Sequence, residues 1–344
     1  MTTTATPRPT GRAGQRPRRR GGRELPEAAL AALFLAPTLL IIGLVFVWPV
    51  LYSLWLSLNR FNLDVSPTPT FAGLHNYTLI ATDPFYRSDV LGAAGRTVLF
   101  TVISVPVEVV LGLACALLLN EEFRGRVLFR SALIVPYAML TISNGLVWTY
   151  ILDPTYGTLN VILHRWGLIG AYHTWLGTPA GALGWVVVAD VWKTTPFVTI
   201  LLLAALQTLP ANVYKAAAVD GAGVLQRFWR ITLPLLRPAL LVAVVLRTLG
   251  AFRVTDIIYV LTGGGPANAT DVLGYYIYEQ AFIDFHIGYA AAVAYLTTLV
   301  VALLILVYVW LLRGDGLGHM TLDAGGKLSF GIQMRRNAGT ASQR

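Results

Sequence analysis

A helix needs about 20 consecutive, mostly apolar residues to cross the hydrocarbon of a bilayer. Six stretches of this chain qualify: roughly 30–58, 97–119, 129–151, 182–208, 239–262 and 289–312. That repetition predicts an all-α polytopic membrane protein with six transmembrane helices. Only 12% of residues are charged, about half the share of a soluble domain. The first stretch contains Pro37 and Pro49, which predicts tilt or a kink instead of one straight rod. It is too long for a signal-peptide core, and no clear small-residue cleavage site leads into a soluble domain. Residues 1–23 lack the apolar stripe of a mitochondrial presequence and read as a disordered, basic cytoplasmic tail.

Lys and Arg set the direction of insertion. With the N-terminus inside, the inner segments carry nineteen of them and the outer segments only Arg60, Arg87 and Arg165. Both termini are therefore expected in the cytoplasm of a multi-pass plasma (inner) membrane protein. The chain then divides into a basic tail (1–29), a first span with its extracytoplasmic loop (30–93), a five-helix core (94–312) and a cytoplasmic tail (313–344). In the last outer loop Tyr275, Tyr276, Tyr278, Phe282 and Phe285 recur at near-helical spacing. Such a stripe reads as a helix lying at the lipid–water boundary, or as a docking surface for an external partner.

One inner loop, 209–238, is built differently from its surroundings. Residues 214–219 are rich in Ala, a strong helix former. Gly221 after Asp220 offers the left-handed conformation that ends a helix. Beyond it, Val224, Leu225, Phe228, Trp229, Ile231 and Thr232 fall on one helical face. That stripe is expected to anchor the hairpin to the bundle. Pro234 is expected to stop this helix, and Pro238 to open the next span. Small Ala216, Ala217 and Ala218 let a partner backbone approach.

The segments KAAAVDGA (215–222) and ITLP (231–234) resemble the cytoplasmic EAA loop of bacterial ABC-importer permeases, whose pattern is approximately EAAxxDGA followed by IxLP. The resemblance implies the type I importer permease fold, with this loop as a helix seated in a groove of a separate ATPase. The residues it assigns to coupling are Tyr214, Lys215, Ala216, Ala217, Ala218, Asp220, Gly221, Ala222, Phe228, Ile231, Leu233 and Pro234. Lys215 stands where the family usually has Glu, so any ion pair made by that Glu is missing here or reversed in sign. No phosphate-binding loop occurs: GGGP at 263–266 lacks the following Lys, and GGK at 325–327 is followed by Leu328. ATP and Mg are accordingly expected on another polypeptide, with no cofactor in this chain.

Charges within spans usually face a bundle interior or a watery cavity. Asp190, Lys193 and Thr194 share a helical face, as do Arg253, Asp256 and Tyr259. Each group reads either as neutralisation that fixes packing or as part of a polar path for a hydroxyl-rich solute. Asn144, Trp148, Tyr150 and Trp192 would complete such a path. Glu108 has no evident partner. Longer segments, among them FAGLHNY, VPYAM, ADVWKTTPF, RTLGAFRVTDIIYVLTGGGP and YAAAVAY, resemble the maltose-type branch of carbohydrate permeases, and particularly actinobacterial trehalose-uptake permeases. The branch implies a second, homologous permease subunit, two ATP-binding subunits and an extracytoplasmic sugar-binding lipoprotein. The net charge of +9 argues for no nucleic-acid partner, because the basic residues sit between hydrophobic spans and not on a face of a soluble domain.

Two rivals remain open at this stage. A membrane glycosyltransferase would need clustered carboxylates or metal ligands at one face. Lone Cys115 and five scattered histidines, with no HExxH spacing, offer no metal site, and no catalytic residue is assigned. An ion-coupled secondary transporter would need an ion site, for which the intramembrane charge pairs are candidates.

Overall fold

A computed structural model describes residues 27–314, 320–322 and 328–330, so the stretches read as terminal tails lie largely outside the described residues. The chain divides into two compact units, residues 1–53 and 54–344. The described part of the first holds α1 (Glu27–Ile42), a π-helical turn (Gly43–Val47) and most of α2 (Trp48–Ser57). Phe34, Leu40, Phe46 and Trp48 are exposed along it, a surface suited to lipid.

The kink expected of the first stretch takes a specific form. In the π turn the Trp48 N–H donates to the Gly43 carbonyl five residues back, and Pro49 follows at once. A proline lacks the N–H and presses its ring on the carbonyl four residues upstream. A wider turn just before it moves that carbonyl aside.

The second unit starts with a short antiparallel pair, β1 (Asn59–Arg60) and β2 (Thr70–Phe71), in the register Asn59↔Phe71. Then come α3 (His75–Thr82), α4 (Pro84–Asn120), α5 (Arg126–Ala138), α6 (Thr141–Leu152), α7 (Thr158–Arg165) and α8 (Pro179–Gln207). After these follow α9 (Ala211–Val219), α10 (Val224–Arg227), a second π turn (Phe228–Thr232), α11 (Leu233–Phe252) and α12 (Asp256–Leu261). The series closes with α13 (Leu273–Phe282), α14 (Ile287–Gly314) and the paired strands β3 (Met320–Leu322) and β4 (Leu328–Phe330). Asp83 starts α4 by accepting from the Phe85 and Tyr86 N–H groups, with Pro84 in the first turn.

The helices α4 and α8 form the axis of this unit. A Cβ built on Gly112 would lie 2.6 Å from Val198 Cγ1, so glycine is what lets the two backbones approach there. Of the most apolar window of α8, 61% is buried, against 17% for α14. One is a central helix and the other a peripheral one. At one end Ala116 and Leu119 of α4 pack with Leu202, Leu206 and Leu236, next to the hairpin. At the other, Ala93 packs with Leu273, Tyr276 and Val293. With 37 residues, α4 spans about 55 Å between these ends.

Among the described residues five helices are long and apolar enough to cross a membrane, and a sixth crossing exists if α5 and α6, which meet at 101°, form one broken span. The third stretch is thus not a straight rod. Pro136 withholds the N–H that would bond Ala132, and Met139 and Leu140 then take extended conformations. The fifth span also differs from expectation. It runs from Val224 to Phe252, because Pro234 does not stop the helix. The Leu233 N–H reaches back five residues to the Phe228 carbonyl, so the second π turn, like the first, accommodates the proline that follows it. The aromatic stripe of the last loop turns inward in part: Tyr275 and Tyr276 of α13 are buried, and the Tyr276 and Tyr289 hydroxyls hydrogen-bond at 3.0 Å.

Candidate functional site

The hairpin closes as its residues require. Asp220 caps α9, and Gly221 follows at φ +75°. The Ala222 N–H donates to the Ala217 carbonyl at 2.9 Å, and the Gly221 N–H to that of Ala218 at 3.2 Å. This pair of bonds satisfies carbonyls that would otherwise be orphaned at the helix end. A residue with a Cβ would be strained at this φ. The Tyr214 and Thr232 hydroxyls, 3.0 Å apart, tie the two arms together.

The apolar face beyond the break corrects the expectation that it anchors the hairpin. Thr232 is buried and Phe228, Ile231 and Leu233 are half-buried, whereas Val224, Leu225 and Trp229 are 76%, 71% and 60% exposed. Phe228 and Trp229 meet edge to face at 5.2 Å. Only the proximal part of the stripe packs inward, and its tip offers bare apolar surface. Lys215, Ala216, Ala218 and Pro234 are exposed, and Ala217 and Ala222 half-buried.

Within the bundle, three charges meet across three helices. The Arg247 guanidinium of α11 binds both oxygens of Glu108 on α4, through Nε and through Nη2, the latter at 2.9 Å. Nη2 also reaches Asp190 Oδ2 on α8 at 3.2 Å. Glu108 is fully buried and Asp190 nearly so. A paired, hydrogen-bonded arrangement is what a charge buried this deeply needs. Arg247 is one of the charges that the sequence places within spans, but sequence reasoning gave it no partner and aligned Asp190 with Lys193 because they sit one turn apart. Glu108 itself was the available signal, since a carboxylate within a span requires a cation from another span.

The other path candidates separate. Asn144 is buried and donates weakly to the Ala189 carbonyl at 3.4 Å, while its Oδ1 has no partner. Trp148 lies 5.9 Å from Trp192 and from Trp185, which lies 5.7 Å from Trp175. The ring series thus extends beyond the two tryptophans anticipated. The Thr194 hydroxyl is spent on its own helix, donating to the Asp190 carbonyl at 2.7 Å, and Tyr150 is exposed. Arg253 and Asp256 do not share a helical face: the first lies just past the end of α11 and the second starts α12. Both are exposed, and among the described residues they form no ion pair with each other. Tyr259 stacks edge-on against Tyr278 at 5.2 Å.

A family model described as binding-protein-dependent transport system inner membrane component matches residues 78–314, from α3 through the hairpin to the end of α14. The trehalose/maltose transport system permease protein MalF of Thermococcus litoralis is 42% identical over 287 residues, 82% of this chain and 93% of its own. The trehalose transport system permease protein SugA of Mycobacterium tuberculosis is 37% identical over 291 residues, 84% of this chain and 91% of its own. The sulfoquinovosyl glycerol transport system permease protein SmoG of Agrobacterium fabrum is 36% identical over 271 residues, 79% and 86% of the two chains. In the crystal structure of a bacterial alginate ABC transporter in complex with alginate pentasaccharide-bound periplasmic protein, one chain shares the fold. Its TM-score is 0.69 at 22% identity, covering 82% of this chain and 93% of that one.

Proposed function

The chain belongs to the family of binding-protein-dependent transport system inner membrane components, and from that premise we propose that it is a permease subunit of an ATP-driven sugar importer. The observation that carries the reading is the hairpin. It is a pair of helices that turns at Gly221 and is tied by the Tyr214–Thr232 hydroxyl contact, and its tip exposes Val219, Val224 and Leu225 at the end of a helix continuous with a membrane span. Exposed apolar surface on a stiff lever suits a groove in a partner. That partner is a pair of ATPase subunits holding ATP and Mg, since the chain contains no phosphate-binding loop of its own. A second, homologous permease completes the path, and an extracytoplasmic binding protein delivers the sugar. The cargo class is a disaccharide of the trehalose or maltose kind, the relatives' printed substrates being the support. The assembly sits in the plasma membrane, with the hairpin and both termini on the cytoplasmic side.

In this mechanism closure of the ATPase pair pushes the hairpin, and the push passes along the helix Val224–Phe252 as a rigid body. That helix carries Arg247, so the displacement bears on Glu108 and Asp190 and re-sorts the three helices they join. Asp190, with Trp148, Trp192, Lys193 and Asn144 near it on α6 and α8, would line the passage. The chain's role is to bind, gate and move, without bond chemistry. The test is reconstitution. The chain alone in liposomes should be inert to any ion gradient, and uptake of trehalose or maltose should need the second permease, the ATPase, the binding protein and ATP. Uptake by the chain alone under a proton or sodium gradient would overturn the reading in favour of a secondary transporter.

A further inference from the structure

At the end of the bundle away from the hairpin, a polar cavity of about 350 Å³ opens between the first turns of α4 and the α12–α13 loop. Four carboxylates line it: Asp89, Asp271, Glu279 and Asp284. Among the described residues Arg96 is the sole cation on the wall, and it is already engaged. Its Nε donates to the Asp271 carbonyl at 2.7 Å and its Nη2 to Asp271 Oδ2 at 3.3 Å.

What remains is unspent negative charge. Asp271 is 3% exposed, and its Oδ1 is buried without any hydrogen-bond partner among the described residues. Such an atom costs about 1–3 kcal/mol while it stays unpaired. Asp284 receives only the neutral amide of Gln280, at 2.6 Å. Among the described residues Asp89 and Glu279 make no side-chain hydrogen bond or ion pair, although both are half-buried. Burial pushes the Asp271 carboxyl up to about 7, helped by Glu279 and Asp89, and raises Glu279 as well. These are groups that a visiting positive charge would relieve.

We propose that this cavity is a receptor for a lysine or arginine side chain of the binding protein that delivers the sugar, a proposal that rests on the function argued above. The cavity wall is set before any partner arrives. The Leu273 N–H donates to Thr97 Oγ1 at 2.8 Å, and the Tyr276–Tyr289 hydroxyl pair holds α13 against α14. Preorganisation of this kind lowers the ordering cost of docking. A neutral sugar could hydrogen-bond these carboxylates, but it brings no positive charge to offset four of them around one arginine. A metal ion needs its ligands convergent, and no group of three or more His, Cys, Asp or Glu among the described residues is placed to hold one. Several carboxylates on one cavity wall suit a long cationic side chain with several donors.

The test uses the complete importer in lipid nanodiscs and its sugar-loaded binding protein, with affinity measured at about 0.05 and 0.5 M salt. The double variant Asp89→Asn, Glu279→Gln should weaken docking roughly tenfold at low salt and flatten its salt dependence, while basal ATP hydrolysis stays as in the wild type. Charge reversal, Glu279→Arg, should weaken docking further. Unchanged affinity with an unchanged salt slope in both variants overturns the proposal. Calcium at about 1 mM should leave docking unaltered, and competition by calcium would overturn it in favour of a metal site. Failure of the wild-type complex to capture any binding protein would instead remove the importer reading, and this inference with it.

Discussion

The two ends of the bundle are finished in opposite ways. The hairpin end carries exposed Lys215, Asp220 and Arg230, but its tip presents bare aliphatic and aromatic side chains, and a hydroxyl pair joins its arms. The far end is a web of buried polar contacts: Asn76 donates to the Ser57 and Asn59 carbonyls at 2.8 and 2.9 Å, Thr262 and Thr270 share a hydroxyl contact at 2.7 Å, and Arg96 clasps Asp271. An apolar tip can be covered and pushed with little dependence on salt. A charged, prebuilt cavity can select its visitor by charge. The contrast suggests force entering at one end and recognition at the other, with the Glu108–Arg247–Asp190 cluster between them.

The largest expected effect lies at the hairpin. Proline cannot adopt φ +75°, so Gly221→Pro should drop uptake to background in the reconstituted importer while the chain still inserts in the membrane. Unaltered uptake would remove the mechanical role of this end. Next comes the link between the ends. Arg247→Met leaves two carboxylates buried without their cation, which should cost about 3–5 kcal/mol, read as a fall in thermal midpoint of the purified complex. The double variant with Glu108→Gln should recover part of that loss, and no recovery would mean the charges do not act as a unit.

A smaller effect sharpens the charge-reading end. Asp271 has a folded-state value near 7, above its ordinary 3.8, so the folded chain holds a proton there that the unfolded chain releases. Its contribution to stability is therefore present at low pH and fades as pH rises from about 4 to about 7. Docking has the opposite sign: a cation prefers the ionised carboxylate, so affinity for the binding protein should rise between pH 6 and 8. The groups facing it are Arg96 and Asp89 from α4 and Glu279 from α13. Asp271→Asn should flatten that rise, and an equally steep profile in the variant would assign the titration elsewhere. The smallest change is expected at Lys215, which is exposed on α9. Lys215→Glu should shift stability by less than about 0.5 kcal/mol and leave uptake unchanged or improved. A marked loss would show that the hairpin end reads charge after all.

Much of this architecture was legible along the chain, and the exceptions share a cause. Apolar run length identified the spans because lipid imposes it residue by residue. The Ala-rich turn and the Asp220–Gly221 break identified the hairpin because helix ending is local. The pairing of Arg247 escaped because its partners lie 139 and 57 positions away, whereas helical periodicity ranks neighbours three and four apart. Lys193 was set beside Asp190, and Asp256 beside Arg253, by proximity in sequence alone. The aromatic stripe of α13 was legible only in part for a related reason: spacing says which rings share a face but not that α14 covers Tyr276. The far-end cavity left no local pattern at all, since its carboxylates come from residues 89, 271, 279 and 284.

The turn at Phe228–Thr232 has a consequence of its own. A five-residue reach adds one residue to the helix without breaking it, and each residue advances the side-chain rows by about 100°. The azimuth of Leu225 and Trp229 relative to Leu236 and Arg247 is thus fixed by this single insertion, much as a key is cut to a bitting. Removing one residue there would leave both halves helical yet aim the tip at a different compass point from the one the rest of the rod dictates.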